Sequence, residues 1–200
     1  MSARQTFFNQ AAQNWDKEFD SPQLHAFLEQ FVPSFGLSAN QHVLDVGTGT
    51  GILILFLHKA LGAKGHITAI DYAPNMVGIC KTKYAHLPNV SIMVANAEKL
   101  QFPDASFDAV TCFGLFPHLD NKKAALNQFH RVLKSKGKLI IAHALGSAEI
   151  KSHHQSAPQA VASDVLPTET EMRKLLQQAG FTGIQIVDRK GSYLCTSTKP

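Results

Sequence analysis

Cysteine is scarce. Cys80, Cys112 and Cys195 are the only three, far apart and without a Cys-x-x-Cys pair. That excludes a disulfide framework and a zinc ribbon. Long apolar runs are also missing. The longest covers residues 52–57, far short of the roughly 18–20 residues that span a bilayer. The first ten residues lack the apolar core of a secretory signal, so a cytoplasmic protein without a membrane span is expected. There is no internal repeat and no low-complexity tract. Charged residues make up only 17% of the chain, against 44% hydrophobic. That share builds a sizeable core and argues against disorder. Two hundred residues are one domain's worth of chain.

The net charge of +4 arises entirely in the second half. Residues 1–100 hold seven basic and seven acidic side chains, and residues 101–200 hold twelve and eight. Six basic residues and no acid fall between positions 122 and 138. They lack interleaved aromatics, so a solvated helix face is expected there rather than a nucleic-acid surface.

Phe8, Ala11, Ala12, Trp15 and Phe19 recur at three- and four-residue steps and predict a helix. Ser21-Pro22 reads as an N-cap and first-turn proline, opening a second helix that Pro33 and Gly36 close. From His42 strands and helices alternate. Strands are predicted at 42–46, 66–70, 90–94, 107–113 and 138–143, and helices at 52–61, 74–84 and 121–133, with a turn at 133–137. Such alternation means parallel pairing through crossover helices. The tail differs. A capping box, Thr168 to Glu171, opens a helix that Gly180 ends. Strands at 183–188 and 192–198 then flank Arg-Lys-Gly as a hairpin. The expected fold is α/β: a doubly wound, Rossmann-like, seven-stranded sheet, mostly parallel, with one antiparallel strand near the C-terminus. Its expected parts are an N-terminal helical segment (1–36), a central core of alternating strands and helices (40–145), and further helices with the C-terminal hairpin (146–200).

Ligands in open α/β sheets sit beyond the carboxyl ends of the strands. The first strand there runs Val43-Leu44-Asp45-Val46-Gly47-Thr48-Gly49-Thr50-Gly51. A dinucleotide site asks for Gly-x-Gly-x-x-Gly, but here the spacing is Gly-x-Gly-x-Gly and Ile52 takes the last place. Twenty residues on, the second strand ends in Ile70-Asp71-Tyr72. A carboxylate there can accept bonds from both hydroxyls of a ribose, or serve as a helix-entry residue.

These segments resemble the class I S-adenosylmethionine-dependent methyltransferases, in the branch that includes the ubiquinone and menaquinone biosynthesis enzymes. Residues 43–51 resemble that family's first motif and residues 70–76 its second. Ala95-Asn96-Ala97-Glu98 through Asp108 resemble the third, and Leu133-Lys134-Ser135-Lys136-Gly137 the turn before strand five. Ser135 and Lys136 depart from the family's usual Pro-Gly in that turn. The resemblance implies S-adenosyl-L-methionine as cofactor, with Gly47, Gly49 and Gly51 facing its methionine part and Asp71 binding the ribose. Met76 would lie along the adenine, and Asn96 and Ala97 would read the adenine edge. Many relatives carry aspartate at the position of Asn96, whose amide oxygen can accept the same bond. Asp45, Thr48, Tyr72 and Phe113 complete the expected cofactor set. Trp15 would belong to a lid helix, or to a helix merely packed on the surface.

The acceptor is expected past strands four and five, where His118 and His143 leave the sheet. Histidine titrates near neutral pH and suits proton removal. His154 stands eleven residues after His143, on a short helix beginning near Ser147. His118, His143 and His154 are therefore expected to line one cavity beside the transferable methyl, as base and clamp or as a three-histidine metal site. His153 is the alternative to His154. The region also resembles a subset of small bacterial methyltransferases, in which serine and asparagine are expected where this chain has Gly146 and Lys151. Cys112 is expected to be a buried strand residue rather than a thiol for metalloid chemistry. Two other readings of the chain remain: a nucleotide-dependent oxidoreductase, and a cofactor-binding protein without turnover. The expected partner is a small-molecule acceptor, with no nucleic acid, and the protein is expected to be a monomer or homodimer.

Overall fold

The computed structural model describes residues 2–200. Seven strands form one sheet: β1 (His42–Val46), β2 (His66–Asp71), β3 (Val90–Val94), β4 (Phe107–Phe113), β5 (Leu133–His143), β6 (Thr182–Arg189) and β7 (Ser192–Thr198). Their order is β3-β2-β1-β4-β5-β7-β6. The first five pair in parallel, and β7 runs antiparallel between β5 and β6. The strand order reverses between β1 and β4, which opens a crevice at their carboxyl ends.

Two helices precede the sheet, α1 (Ala3–Phe19) and α2 (Pro22–Phe31). Ser2 and Ser21 cap them by accepting from Gln5 N and Leu24 N. Next come α3 (Ile54–Leu61), α4 (Pro74–Tyr84), α5 (Lys122–Val132), α6 (Ser147–Gln155) and α7 (Glu169–Gln178). Leu28, Phe35, Ile54, Leu57, Cys80 and Tyr84 form the core on one face of the sheet. Leu126, Phe129, Met172 and Leu176 fill the other. Thr168 and Glu171 form the expected capping box, and all three cysteines are buried thiols. Among the described residues no helix is long and apolar enough to cross a membrane.

Two strand or helix starts differ from the sequence reading by more than one residue. Helix α3 starts at Ile54 rather than Ile52, because the glycine loop needs residues 51–53 to complete its last turn, closed by Ile54 N donating to Gly51 O. The predicted turn at 133–137 is instead a bulged extension of β5, with Leu133 opposite Phe107 and Lys136 left-handed at φ 64°. Its partner is the chain's far end: Lys136 N donates to Lys199 O, and Lys199 N to Gly137 O.

Four of the six basic residues between 122 and 138 bond internally. Lys122 reaches Pro117 O and Leu119 O, and Arg131 reaches Leu100 O and Phe102 O. Lys134 pairs with Asp108, and Lys138 donates to Gly36 O.

Candidate active site

A narrow cleft of about 40 Å³ lies at the strand-order reversal, below the 300–1,000 Å³ typical of small-molecule sites. Its walls include Gly47, Asp71, Tyr72, Asn96, Ala97 and His118.

The glycine loop forms a floor beneath helix α1, with Gly47 on the cleft wall. Gly47, Gly49 and Gly51 all have positive φ, at 72°, 57° and 94°, where a Cβ is strained. At Gly47 a Cβ would lie 2.7 Å from Leu115, and at Gly51 2.4 Å from the Tyr84 ring. Gly49 is the open one: its nearest neighbour would be Trp15 Nε1 at 3.8 Å. Trp15 thus stands over the loop from helix α1.

Asp71 ties the loop to the second strand. Its two oxygens accept from Gly49 N (3.0 Å) and Ala73 N (2.8 Å). Ala73, not Asp71, caps helix α4. Each carboxylate oxygen keeps a further lone pair for a ligand hydroxyl. Burial outweighs those bonds and pushes the carboxyl up to about 6. Asp45 is pushed to about 6 by the same cause, but it stands away from the cleft. It is 1% exposed, with Oδ1 accepting from Thr111 Oγ1 at 2.8 Å. Thr48 is buried too.

Of the remaining expected cofactor residues, Tyr72 lines the cleft with its buried hydroxyl unpartnered. Asn96 is exposed on the rim, its Oδ1 accepting from Glu98 N at 2.8 Å. Ala97 lines the cleft, Met76 is packed under helix α1 against Ala12 and Ala73, and Phe113 packs on the sheet core. The glycine floor, the spare acceptor capacity of Asp71 and the unpartnered Tyr72 hydroxyl fit a polar ligand with ribose hydroxyls.

Helix α1 is fastened over this floor at four points. Gln5 Nε2 donates to Tyr72 O (2.7 Å), Asn75 N to Asn9 Oδ1 (3.0 Å), Thr50 Oγ1 to Asp16 Oδ1 (2.5 Å) and Lys83 Nζ to Asp16 Oδ2 (3.0 Å). The helix therefore lies over the glycine loop and the start of α4.

The three histidines expected in one cavity come together unequally. His118, in the short turn Phe116–His118, lines the cleft. His154 packs behind it with ring centroids 4.8 Å apart, while His153 is exposed, its ring 6.4 Å from Phe19. His143 ends β5 in the interior, its Nε2 without a partner. Only His118 is on the cleft wall.

Asp164 organises the group. Its Oδ2 accepts from His118 Nδ1 at 2.7 Å, and its backbone carbonyl accepts from His154 Nδ1 at 2.5 Å. Arg4 adds Nε to Oδ2 (2.9 Å) and Nη2 to Oδ1 (2.6 Å), and also pairs with Asp120. His118 and Arg4 both hold the Asp164 carboxyl below its usual range against burial. A carboxylate partner fixes the His118 proton on Nδ1 and leaves Nε2 as the accepting nitrogen. Burial lowers the pKa of His118 below its usual 6.5, although Asp164 acts to raise it. Among the described residues no cluster of His, Cys, Asp or Glu is arranged to hold a metal.

Sequence reasoning passed over Arg4 as a site residue and gave Asp164 no role. A signal for Arg4 was present, since it lies four residues before Phe8 on the same helical stripe. Asp164 is an acid flanked by Val161 and Leu166, both buried.

The comparisons agree with this geometry. Residues 44–141 match the methyltransferase-domain family. A ubiquinone/menaquinone biosynthesis C-methyltransferase UbiE from Citrifermentans bemidjiense is 38% identical over 55% of this chain and 48% of its own length. A demethylmenaquinone methyltransferase from Staphylococcus aureus is 34% identical over 64% of this chain and 56% of its own. The chain thus spans about half the length of these curated relatives. The crystal structure of an S-adenosylmethionine-dependent methyltransferase from Aquifex aeolicus superposes with a TM-score of 0.76 at 25% identity, covering 92% of this chain and 96% of that one. The chain belongs to the class I S-adenosylmethionine-dependent methyltransferases, and S-adenosylmethionine is the cofactor of that class.

Proposed function

We propose that this protein methylates a small-molecule acceptor from which His118 removes a proton. The observation that carries the reading is the His118–Asp164 pair on the wall of the glycine-floored cleft. Bound S-adenosylmethionine supplies an activated methyl group on its sulfonium. Asp71 and Tyr72 would hold its ribose, the Gly47–Gly51 loop its methionine part, and Asn96 and Ala97 its adenine edge. The chain's own work is to orient the acceptor, exclude water and move one proton. His118 Nε2 takes that proton. The Asp164 carboxylate steadies the imidazolium that results, and His154 and His143 back the ring. The two curated relatives above are named for quinone methylation, which favours an acceptor whose hydroxyl or adjacent carbon becomes nucleophilic once a proton leaves. An oxidoreductase is disfavoured by the Gly-x-Gly-x-Gly spacing.

Titration calorimetry with S-adenosylhomocysteine and with NADH tests the cofactor arm. Binding of the first and no heat from the second is expected, and heat from NADH alone would overturn the reading. Asp71→Ala should weaken S-adenosylhomocysteine by roughly 1.5–3 kcal/mol, the scale of hydrogen bonds to a charged group. An unchanged dissociation constant would make Asp71 a loop-fastening residue only. Methyl transfer is tested with tritiated-methyl S-adenosylmethionine against a panel of quinols, phenols and amines. Label in a quinol or phenol product is the expected result. Label in none of the panel, with binding intact, would leave a cofactor-binding protein without turnover.

A further inference from the structure

We propose that Arg4 is a positioning residue for the base: by binding the Asp164 carboxylate that also holds His118, it makes the working orientation of that ring conditional on helix α1 lying over the cleft. This rests on the reading of His118 as the base.

The geometry is that of a shared ligand. Asp164 is 4% exposed and has two carboxylate oxygens. One receives His118 Nδ1 and Arg4 Nε together, and the other receives Arg4 Nη2. Arg4 therefore fixes both oxygens in the plane of its guanidinium, and His118 takes the direction that remains. A lysine would supply the charge without the fork. The remaining fastenings of α1, through Gln5, Asn9 and Asp16, all reach the cofactor side. Arg4 is the residue by which the same helix reaches the acceptor side. Phe8, one turn further along, lies edge-on to His118 with centroids 5.2 Å apart. One helix thus touches the glycine loop, the ribose strand and the base.

The charges around His118 define the electrostatic consequence. Asp164 faces it from the segment before α7, His154 from α6, His143 from β5 and Arg4 from α1. Asp120 and Lys122 follow it closely in the chain, and both interact with Arg4 or Asp164. Arg4 neutralises part of the Asp164 charge and itself disfavours a second positive charge on the ring. Without it, Asp164 acts on His118 alone, and the imidazolium is favoured.

The test uses the full chain saturated with S-adenosylhomocysteine, with ¹H–¹⁵N spectra of the imidazole nitrogens recorded across pH. Of the ten histidines, His118 is the one whose signals vanish in His118→Asn. In Arg4→Ala, His118 should titrate at higher pH than in the wild type. Arg4→Lys should return it toward the wild-type midpoint. Lys17→Ala, which removes a charge from an exposed position on the same helix, should leave it in place. The affinity for S-adenosylhomocysteine should stay within about twofold in Arg4→Ala, because the other fastenings remain. An unmoved His118 midpoint in Arg4→Ala would overturn the proposal, as would an equal movement in Lys17→Ala. The two readings fail separately. Full turnover by His118→Ala would remove the base and leave the titration result standing, whereas an unmoved titration with turnover lost in His118→Ala would remove the role of Arg4 alone.

Discussion

His118→Ala should lower turnover roughly 10²- to 10⁴-fold, the usual contribution of a positioned general base, while S-adenosylhomocysteine binds as before. The glycine loop, Asp71 and Asn96 make none of their bonds through that ring, so the loss should fall on kcat rather than on cofactor affinity. The pH profile gives an independent reading. Because burial keeps the pKa of His118 below 6.5, the ring is neutral and competent at pH 7. Activity should hold on the alkaline side and fall as pH drops through that lowered value. Asp164→Asn removes the group that raises the pKa of His118, so the acid limb should move to still lower pH while the maximal rate drops. Equal turnover by wild type and His118→Ala on an identified acceptor would end the assignment of a base.

The second large effect concerns stability in acid. His143 is buried, and that burial, helped by His118 and His154, takes its pKa down to about 3. Its folded value lies below the unfolded value of 6.5, so protonation favours the unfolded chain. The stabilisation is fully present above pH 6.5 and is lost as pH falls from there toward 3. Over that window the loss from this one group approaches roughly 4–5 kcal/mol, at about 1.4 kcal/mol per pH unit. That is a large part of a typical domain's 5–15 kcal/mol. Urea titrations at pH 7.5, 6 and 5 measure it directly. His143→Phe, which keeps an aromatic ring beside Tyr193 without a titrating nitrogen, should flatten the decline. A parallel decline in wild type and variant would show that other groups, not His143, set the acid sensitivity.

The glycine-loop side of the cleft was legible in the sequence because each of its parts is local. The loop from Gly47 to Gly51, the acid at Asp71 and the rim at Asn96 each sit at a strand end that a short pattern announces. Helix starts at Ser21 and Thr168 were readable for the same reason, since a cap and its partner lie three residues apart. The extension of β5 was not readable, because its partner Lys199 lies more than sixty residues away. The acceptor side divides likewise. Strand topology brought His118 and His143 to the same side of the sheet, and the turn after β5 returned His154 to His118. Which histidine faces the cleft depends on Asp164, and Asp164 is set by Arg4 from the other end of the chain. No periodicity encodes that pair. Asp45 belongs to the same strand motif as the glycines; its Oδ1 accepts from Thr111 Oγ1, across on β4, and its Oδ2 is buried without a partner.

The distance between Arg4 and Asp164 along the chain also bears on the order in which the protein opens and closes. The bond between Gly49 and Asp71 closes a stretch of 22 residues, and that between Arg4 and Asp164 one of 160. Closing the longer loop costs about 2 kcal/mol more chain entropy. Its reward is a few partly exposed contacts along one terminal helix, whereas the inner strands are buried on both faces. Terminal elements of this kind detach at a free energy well below that of global unfolding. The resting ensemble is therefore expected to include a form with the Gly49–Asp71 bond in place and the Arg4–Asp164 bond undone. Amide exchange would find it as early labelling of residues 3–19 against a protected sheet.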